Sequence, residues 1–345
     1  MVEHLNQSSH TDVALRDKVR FLRRPDSYPE GPGAIEAIES HMSWVFLTER
    51  HAYKLKKPVR YSYLDYSTIE ARRANCAAEV RLNRRFAPKV YLGVVPLNVD
   101  PSGHLRLGGE GQPCDWLVQM VRLPAARSLE AHIERNAVDE DQLRQAIHLL
   151  TRVYREAAPA DLTPKAYRAR CRNDVVDNLA ALTDTAFELS SDLPQVVARA
   201  QERFLESRAG LFDARVEAGR IVEGHGDLRP EHVYLLDPPI ILDCLEFNRE
   251  LRLLDPVDEL AYLAMECHRL GAPHLGDVVL ETYRADTGDR APASLIDFYA
   301  SARAMLRAKL AIWHLKDEHR PDAEKWRART MRYLYIAADH ASKLK

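Results

Sequence analysis

Residues 223–248 read "EGHGDLRPEHVYLLDPPIILDCLEFN", and they are the most informative segment of the chain. Its apolar runs, 233–236 and 240–244, predict two short strands joined by a turn. Asp227 precedes the first strand and Asp243 lies near the end of the second, so a hairpin would bring both carboxylates to one end. Carboxylate oxygens are ligands that Mg²⁺ prefers, and a carboxylate can also orient a hydroxyl nucleophile. The stretch therefore predicts a site for a metal ion and for a hydroxyl group.

The order of residues in this stretch resembles the catalytic segment of protein kinases and small-molecule kinases, which reads His-x-Asp, four residues and Asn. Here "HGD" at 225–227 is followed by four residues and His232. "HGDL" is similar to the aminoglycoside phosphotransferases and choline kinases, and "DLRPEH" to the protein kinases. The resemblance implies that Asp227 accepts or orients the acceptor hydroxyl and that Arg229 contacts the γ-phosphate. It also implies that Asp243 holds the Mg²⁺ that bridges the ATP phosphates.

His232 stands where these families have Asn. An amide oxygen suits Mg²⁺, whereas an imidazole suits softer metals, so His232 as a second metal ligand would favour Mn²⁺. The alternative is that His232 only packs or hydrogen-bonds within its loop. Glu246 and Asn248, just past Asp243, offer further oxygens for a metal, and Glu246 is also a candidate contact for the substrate.

A kinase also needs a lysine on a strand for the nucleotide phosphates and a glutamate on a helix to hold that lysine. "SWVFLTERHAYKLKKP", residues 43–58, predicts a hairpin whose second strand carries Lys54. Lys56 points to the same face of the strand, because side chains alternate, and is the alternative. The helical pattern that follows, 67–86, supplies Glu79.

The stretch "LVQMVRLP", residues 117–124, is the predicted hinge between two lobes. The resemblance implies that Met120 and Val121 lie near the adenine. No Gly-x-Gly-x-x-Gly precedes the lysine strand, which argues against a true protein kinase. The segments "SWVFLT", "YLGVVPL" and "DCLEFN" also resemble the sequences of a bacterial group of uncharacterised proteins described as aminoglycoside phosphotransferase-like.

Helical periodicity dominates after the hinge, at 128–218 and from Pro256 onward. In the helical pattern 295–314, Arg303 and Arg307 lie four positions apart on one face. They could grip a phosphate or carboxylate of an anionic substrate. The alternative is that their stems cover apolar surface and the arginines serve packing.

These patterns predict an α+β, two-lobed, protein-kinase-like fold, with a β-rich nucleotide-binding lobe at 1–123 and a larger helical lobe at 124–345. Lys plus Arg number 49 and Asp plus Glu 51 among 345 residues, so the positive charge typical of nucleic-acid binders is missing. The five cysteines include no C-x-x-C pair, which disfavours disulfides and structural zinc. No apolar run matches a signal peptide or a membrane span, and we expect a cytoplasmic protein.

We therefore expect an enzyme that uses ATP and Mg²⁺ to phosphorylate a hydroxyl of a small-molecule acceptor. The first alternative is a pseudokinase that binds nucleotide with little turnover, which His232 and the missing glycine loop favour. The second is a metal-dependent hydrolase built on His225, Asp227, His232 and Asp243. The expected partners are ATP and the acceptor, which the sequence does not identify, and the sequence gives no indication of oligomeric state.

Overall fold

The computed structural model of the chain describes residues 13–31, 33–61, 64–189, 191–316 and 322–344. The chain divides into two compact units, Met1–Pro124 with Ile241–Arg249 and Ala125–Ile240 with Glu250–Lys345. We term them the sheet unit and the helical unit. The sheet unit differs from the predicted first lobe mainly because it includes Ile241–Arg249, the segment that carries Asp243.

Among its described residues, the sheet unit contains two α-helices and eight strands. The helices are α1 (Leu15–Leu22) and α2 (Ile69–Asn83). The strands are β1 (Glu36–Glu39), β2 (Ser43–Leu47), β3 (His51–Lys56), β4 (Arg60–Tyr61), β5 (Leu64–Asp65), β6 (Tyr91–Val99), β7 (Leu105–Leu107) and β8 (Gln112–Val121). Six strands form an antiparallel sheet in the order β1-β2-β3-β8-β6-β7.

The core of the sheet unit explains why the lysines of β3 face α2. Tyr53 and Leu55 of β3 point into an apolar cluster that also contains Leu22 of α1. Because side chains alternate along a strand, Lys54 and Lys56 point to the opposite face. That is the face on which α2 carries Glu79, as the hydrogen bonds described below show.

Among the described residues, the helical unit contains nine α-helices and four short strands, the third of which ends at Ile241, the first residue of the second segment of the sheet unit. They are α3 (Leu129–Glu134), α4 (Glu140–Glu156), α5 (Pro164–Leu182), α6 (Leu193–Ser207), α7 (Ala209–Glu217), β9 (Val222–Glu223), β10 (Val233–Tyr234), β11 (Ile240–Ile241), β12 (Leu253–Leu254), α8 (Pro256–Arg269), α9 (Pro273–Thr287), α10 (Ala293–Trp313) and α11 (Ala323–Ser342). In the part of the chain that the structure describes, no helix has both the length and the apolar character needed to cross a membrane.

The start of α8 is fixed by a buried ion pair. Asp255 caps the helix by accepting a hydrogen bond from Val257 N at 3.0 Å, and Pro256 occupies the first helical position, where a missing N–H costs nothing. Arg215 donates to both carboxylate oxygens of Asp255, at 2.6 and 2.7 Å. A bidentate pair of this kind is rigid. It fixes the start of α8 and therefore the positions from which the side chains of α8 extend.

Candidate active site

Two lysines of β3 share one carboxylate of α2. Lys54 Nζ donates to Glu79 Oε1 at 2.9 Å, and Lys56 Nζ donates to Glu79 Oε2 at 2.6 Å. Glu79 is completely buried, and a buried carboxylate is stable when cations satisfy both of its oxygens. Both of the alternative lysines therefore contact the predicted glutamate.

Asp243 contacts Lys54, whose Nζ donates to its Oδ1 at 2.7 Å. Its φ of 61° lies in the left-handed region, which Asp tolerates better than most residues with a side chain. The N–H of Asp243 donates to the Tyr91 hydroxyl at 3.2 Å, and the N–H of Cys244 donates to Asn83 Oδ1 at 2.9 Å. These backbone bonds hold the segment in the position from which the carboxylate reaches Lys54.

Glu246 contacts the other lysine. Its Oε1 accepts hydrogen bonds from Lys56 Nζ and from the Tyr66 hydroxyl. The Lys56 side chain is 1% exposed, whereas Lys54 is 14% exposed and its partner Asp243 is 47% exposed. The pair that can meet a ligand from solvent is therefore Lys54 with Asp243, and the pair of Lys56 with Glu246 is enclosed.

Both lysines are charged in this cluster. Burial lowers the pKa of the Lys54 ammonium, but the carboxylates of Asp243 and Glu79 more than reverse this and raise it well above its ordinary value. Burial acts in the same direction on the pKa of Lys56, and Glu246 and Glu79 raise it well above the ordinary value. Burial raises the pKa of Glu246, yet the Lys56 ammonium holds it below its ordinary value. The cluster thus consists of ion pairs.

Met120 and Val121, predicted to lie near the adenine, end strand β8. They pair in register with Ala52 and His51 of β3. The N–H of Val121 donates to the carbonyl of Val90 at 2.9 Å, so this donor is used within the sheet unit. The role of the two residues at the adenine stays a prediction.

In the helical unit, Asp227 accepts a hydrogen bond at each carboxylate oxygen. The Tyr262 hydroxyl, on α8, donates to Oδ1 at 3.1 Å, and Arg229 Nε donates to Oδ2 at 3.1 Å. A carboxylate offers about four lone-pair sites, so Asp227 can accept further hydrogen bonds. Burial alone would raise the pKa of the Asp227 carboxyl, but the cations around it, first of them Arg229, lower it to about 2. Asp227 is ionised at neutral pH.

Arg229 and His232 link the two ends of the loop. Arg229 Nη1 donates to Glu231, and Arg229 Nη2 lies 3.2 Å from His232 Nε2. His232 Nδ1 lies 2.9 Å from the backbone carbonyl of Asp227. Because a carbonyl only accepts, Nδ1 carries the proton and Nε2 accepts from Arg229. These contacts favour the alternative in which His232 hydrogen-bonds within its loop, and its role as a metal ligand stays a prediction.

The loop before Asp227 is held by Glu259 of α8, a residue that sequence reasoning missed. Its Oε1 accepts from His225 N at 3.0 Å and from Gly226 N at 2.5 Å, and its Oε2 accepts from the Tyr154 hydroxyl at 2.6 Å. A Cβ on Gly224 would lie 2.8 Å from Glu259 Oε2, so the close approach of loop and carboxylate requires glycine there. The available signal was an acidic residue shortly after the helix cap.

Arg303 and Arg307 of α10 each bind a carboxylate of α8. Arg303 donates from Nε and Nη2 to the two oxygens of Asp258, at 2.8 and 2.6 Å. Arg307 Nε donates to Glu266 Oε1 at 3.1 Å. Each arginine therefore has its own carboxylate partner on α8, and a role of the two at a substrate stays a prediction.

The predicted site residues fall into two groups. Lys54, Glu79, Asp243 and Glu246 meet in the sheet unit, and Asp227, Arg229 and His232 meet in the helical unit. Among the described residues, no three His, Cys, Asp or Glu side chains cluster in a way that could hold a metal ion. The Asp243 side chain is 47% exposed, and its carboxylate fits a Mg²⁺ ion of the kind that one or two carboxylates hold together with phosphate and water.

No protein-family model matches the chain. It is similar in sequence to three uncharacterised proteins, Rv2004c and MT2060 of Mycobacterium tuberculosis (strains H37Rv and CDC 1551) and Mb2027c of Mycobacterium bovis. Each is 35% identical to it over 318 residues, which amount to 89% of this chain and 59% of the relative. The chain thus spans less than two thirds of the length of these relatives.

The fold is similar to that of several solved kinases. The choline kinase LicA from Streptococcus pneumoniae superposes with a TM-score of 0.52 at 13% identity, over 88% of this chain and 94% of that one. The GDP complex of aminoglycoside 2'-phosphotransferase-IIIa gives 0.51 at 14% identity, over 94% and 97%. The choline kinase of Cryptosporidium parvum gives 0.50 at 10% identity, over 93% and 95%. The chain therefore has the α+β, protein-kinase-like fold of the aminoglycoside phosphotransferases and choline kinases, as the sequence predicted.

Proposed function

We propose that the protein transfers a phosphoryl group from ATP to a hydroxyl of a small-molecule acceptor. The observation that carries this proposal is the position of Lys54 Nζ, 2.9 Å from Glu79 and 2.7 Å from Asp243. In kinases, a lysine held by a helical glutamate binds the nucleotide phosphates, and an aspartate holds their metal ion. The structure of an aminoglycoside phosphotransferase of similar fold is a GDP complex, which supports a purine nucleotide as the donor.

Lys54 is the lysine that we assign to the phosphates. Its partner Asp243 is half exposed, so Lys54 can exchange this contact for a phosphate oxygen while it keeps Glu79. Lys56 is enclosed by Glu79 and Glu246, and its departure would remove the ammonium that Glu246 shares with the second oxygen of Glu79, which is costly. We assign Glu246 to Lys56 for the same reason, and not to the substrate.

Asp243 would hold Mg²⁺, which would supply positive charge to offset the negative charge that develops in phosphoryl transfer. The protein's own contribution there is the fixed backbone of Asp243, bound by Tyr91, and the ammonium of Lys54 beside it. Oxygen donors next to a lysine match the chemistry of a phosphate-bound hard cation.

Asp227 is the residue that we assign to the acceptor hydroxyl. The acceptor oxygen would form a bond to the terminal phosphorus while the bond from that phosphorus to the nucleotide oxygen breaks. With a pKa of about 2, Asp227 is a weak base, so its main task would be to orient the hydroxyl and receive its proton as the new bond forms. Arg229, bound to Asp227, would donate to the transferred phosphoryl group.

A second candidate is a protein that binds nucleotide and turns it over little. His232 occupies the position of an expected metal ligand, yet both of its ring nitrogens contact groups of its own loop. A protein without the second ligand would retain nucleotide binding through Lys54 and Asp243.

The decisive experiment combines binding and transfer. Purified protein is titrated with ATP and GTP in the presence of Mg²⁺ or Mn²⁺, and is then incubated with a panel of small alcohols, with phosphorylated products detected by mass spectrometry. We expect transfer that Asp227→Asn abolishes while nucleotide binding persists. Nucleotide binding without transfer would support the second candidate, and the absence of nucleotide binding would contradict both.

A further inference from the structure

Helices α8 and α10 face each other through a stripe of charged and aromatic side chains. Asp258, Tyr262 and Glu266 follow each other at intervals of four residues on α8, and so share one face. On α10, Arg303 and Arg307 have the same spacing. Arg303 binds Asp258 and lies 5.3 Å from the ring centre of Tyr262, and Arg307 binds Glu266 one turn further on.

Arg303 and Arg307 differ in which of their nitrogens donate hydrogen bonds to the rest of the protein. The guanidinium of Arg303 is bound edge-on by both oxygens of Asp258. Arg307 uses Nε alone, for Glu266 Oε1 at 3.1 Å and the Tyr333 hydroxyl at 3.4 Å. Within the described residues, the terminal nitrogens Nη1 and Nη2 of Arg307 have no hydrogen-bond acceptor, and they are not among the buried polar atoms that lack one. They are therefore open to solvent.

The carboxylate of Glu266 accepts hydrogen bonds from several donors. Besides Arg307, it accepts from Arg269 Nε and from the Tyr333 hydroxyl, at 2.9 Å in the latter case. Arg269 has a second carboxylate, Glu130, at 3.6 Å. Arg307 therefore shares its one carboxylate partner with another arginine and keeps the outer edge of its guanidinium available.

Arg307 also lies near the proposed catalytic carboxylate. On α8, Tyr262 lies between Asp258 and Glu266, which are the carboxylate partners of Arg303 and Arg307. Its hydroxyl donates to Asp227 Oδ1 at 3.1 Å. The charge of Arg307 is one of those that lower the pKa of Asp227, behind Arg229 and His232. Arg307 thus binds the α8 residue one turn beyond Tyr262, which itself binds Asp227.

We infer that Arg307 binds an anionic group, a phosphate or a carboxylate, of the acceptor whose hydroxyl Asp227 orients. The inference rests on the proposed function and adds the chemical class of the acceptor to it. Two parallel N–H groups match two oxygens of a phosphate or carboxylate, and such charge-assisted bonds are strong when partly shielded from water. Arg303, with its edge already filled, serves the packing of α8 on α10.

The transfer test compares three hydroxyl acceptors with the same three-carbon skeleton, neutral glycerol and the anions D-glycerate and sn-glycerol 3-phosphate, and adds choline as a cation. The wild type is expected to favour one of the two anions over glycerol, and the preferred anion tells carboxylate from phosphate. Arg307→Gln should lower the ratio of kcat/KM for that anion to kcat/KM for glycerol by about 10- to 100-fold, since it removes a charged hydrogen-bond partner that the anion alone would use. Arg303→Gln, the matched control, should retain the anion preference whatever its effect on stability. A wild-type preference for choline or glycerol would overturn the inference.

A binding test separates this inference from the proposed function. The melting temperature is measured with and without sn-glycerol 3-phosphate or D-glycerate, in the wild type, Arg307→Gln, Arg307→Lys and Lys54→Ala. We expect stabilisation by the anion that persists in Lys54→Ala, weakens in Arg307→Lys, which keeps the charge, and disappears in Arg307→Gln. Anion binding without any transfer would contradict the proposed function alone. Transfer to alcohols with no effect of Arg307 on anions would contradict the inference alone.

Discussion

Glu259 accepts a hydrogen bond from the backbone of Gly226 at 2.5 Å, and thereby attaches the residue before Asp227 to helix α8. Glu259 is buried, and burial raises the pKa of its carboxyl, although the donors from Tyr154, His225 and Gly226 oppose that shift. Helix α8 is itself fixed at its start by Asp255. Asp227 therefore takes its position from a rigid element, as the proposed catalytic role would require.

Replacing Glu259 should reduce catalysis more than nucleotide binding. Glu259→Gln keeps the size of the side chain but removes the charge that two backbone N–H groups share. We expect kcat to fall about 10-fold or more, since small displacements of catalytic groups are costly, with nucleotide affinity unchanged. Steady-state kinetics and calorimetric titration measure the two effects. The neighbouring Asp258→Asn is the control, and a larger loss of kcat in that control would contradict the role of Glu259.

The two lysines of β3 should fail in different ways. Lys56→Met leaves Glu79 and Glu246 buried without their shared cation, and should lower the free energy of unfolding by about 3–5 kcal/mol. Lys54→Met should cost less stability, because Asp243 is half exposed, and should weaken ATP binding. Urea unfolding and nucleotide titration on both variants give the comparison. If Lys56→Met binds ATP poorly while it unfolds like the wild type, the two lysines have the opposite roles.

The free energy of unfolding should depend on the ionisation of Asp227 at acid pH. Its folded pKa of about 2 lies below the ordinary value of 3.8, so ionised Asp227 stabilises the folded state above pH 4, by about 2 kcal/mol. This contribution is lost as the pH falls from about 4 towards 2. The difference in unfolding free energy between the wild type and Asp227→Asn should be constant from pH 5 to 7 and should shrink below pH 4. A difference that does not change with pH would show that Asp227 is not paired as described.

His232→Asn tests the choice between loop contact and metal ligand. Because both ring nitrogens have loop partners, we expect the ratio of activity with Mn²⁺ to activity with Mg²⁺ to be the same in His232→Asn and the wild type. The melting temperature should fall modestly, since the contact with Arg229 Nη2 is lost. A clear shift of preference towards Mg²⁺ in the variant would instead assign His232 to the metal, because imidazole favours softer ions.

The fold class was predictable because its signals are local. A strand that alternates Tyr53, Lys54, Leu55 and Lys56, followed by a helix and two strands, leaves few arrangements open, and the motif at 225–227 narrows them further. The neighbourhood of Lys54 and Glu79 follows from the same order of elements. Their contact with each other is a geometric finding, and their roles at a nucleotide remain predictions.

The choices between neighbouring residues were not predictable. Asp258 and Glu259 are adjacent acids in the first turn of α8, and only the packed structure shows that Glu259 faces the loop while Asp258 faces Arg303. Likewise, two lysines with the same strand spacing cannot be ranked until the positions of Asp243 and Glu246 are known. Partners from distant parts of the chain decide each case, and periodicity carries no information about them.

The interleaved course of the chain has a consequence for synthesis on the ribosome. The sheet unit includes Ile241–Arg249, which follow the first segment of the helical unit, Ala125–Ile240, along the chain. When synthesis has reached residue 124, Glu79 is the only one of the three carboxylate partners of Lys54 and Lys56 that exists. More than a hundred further residues must be added before Asp243 and Glu246 are made. Because a buried cation without its partner is unstable, the nascent first unit should stay loosely packed around these lysines until Glu246 has left the exit tunnel.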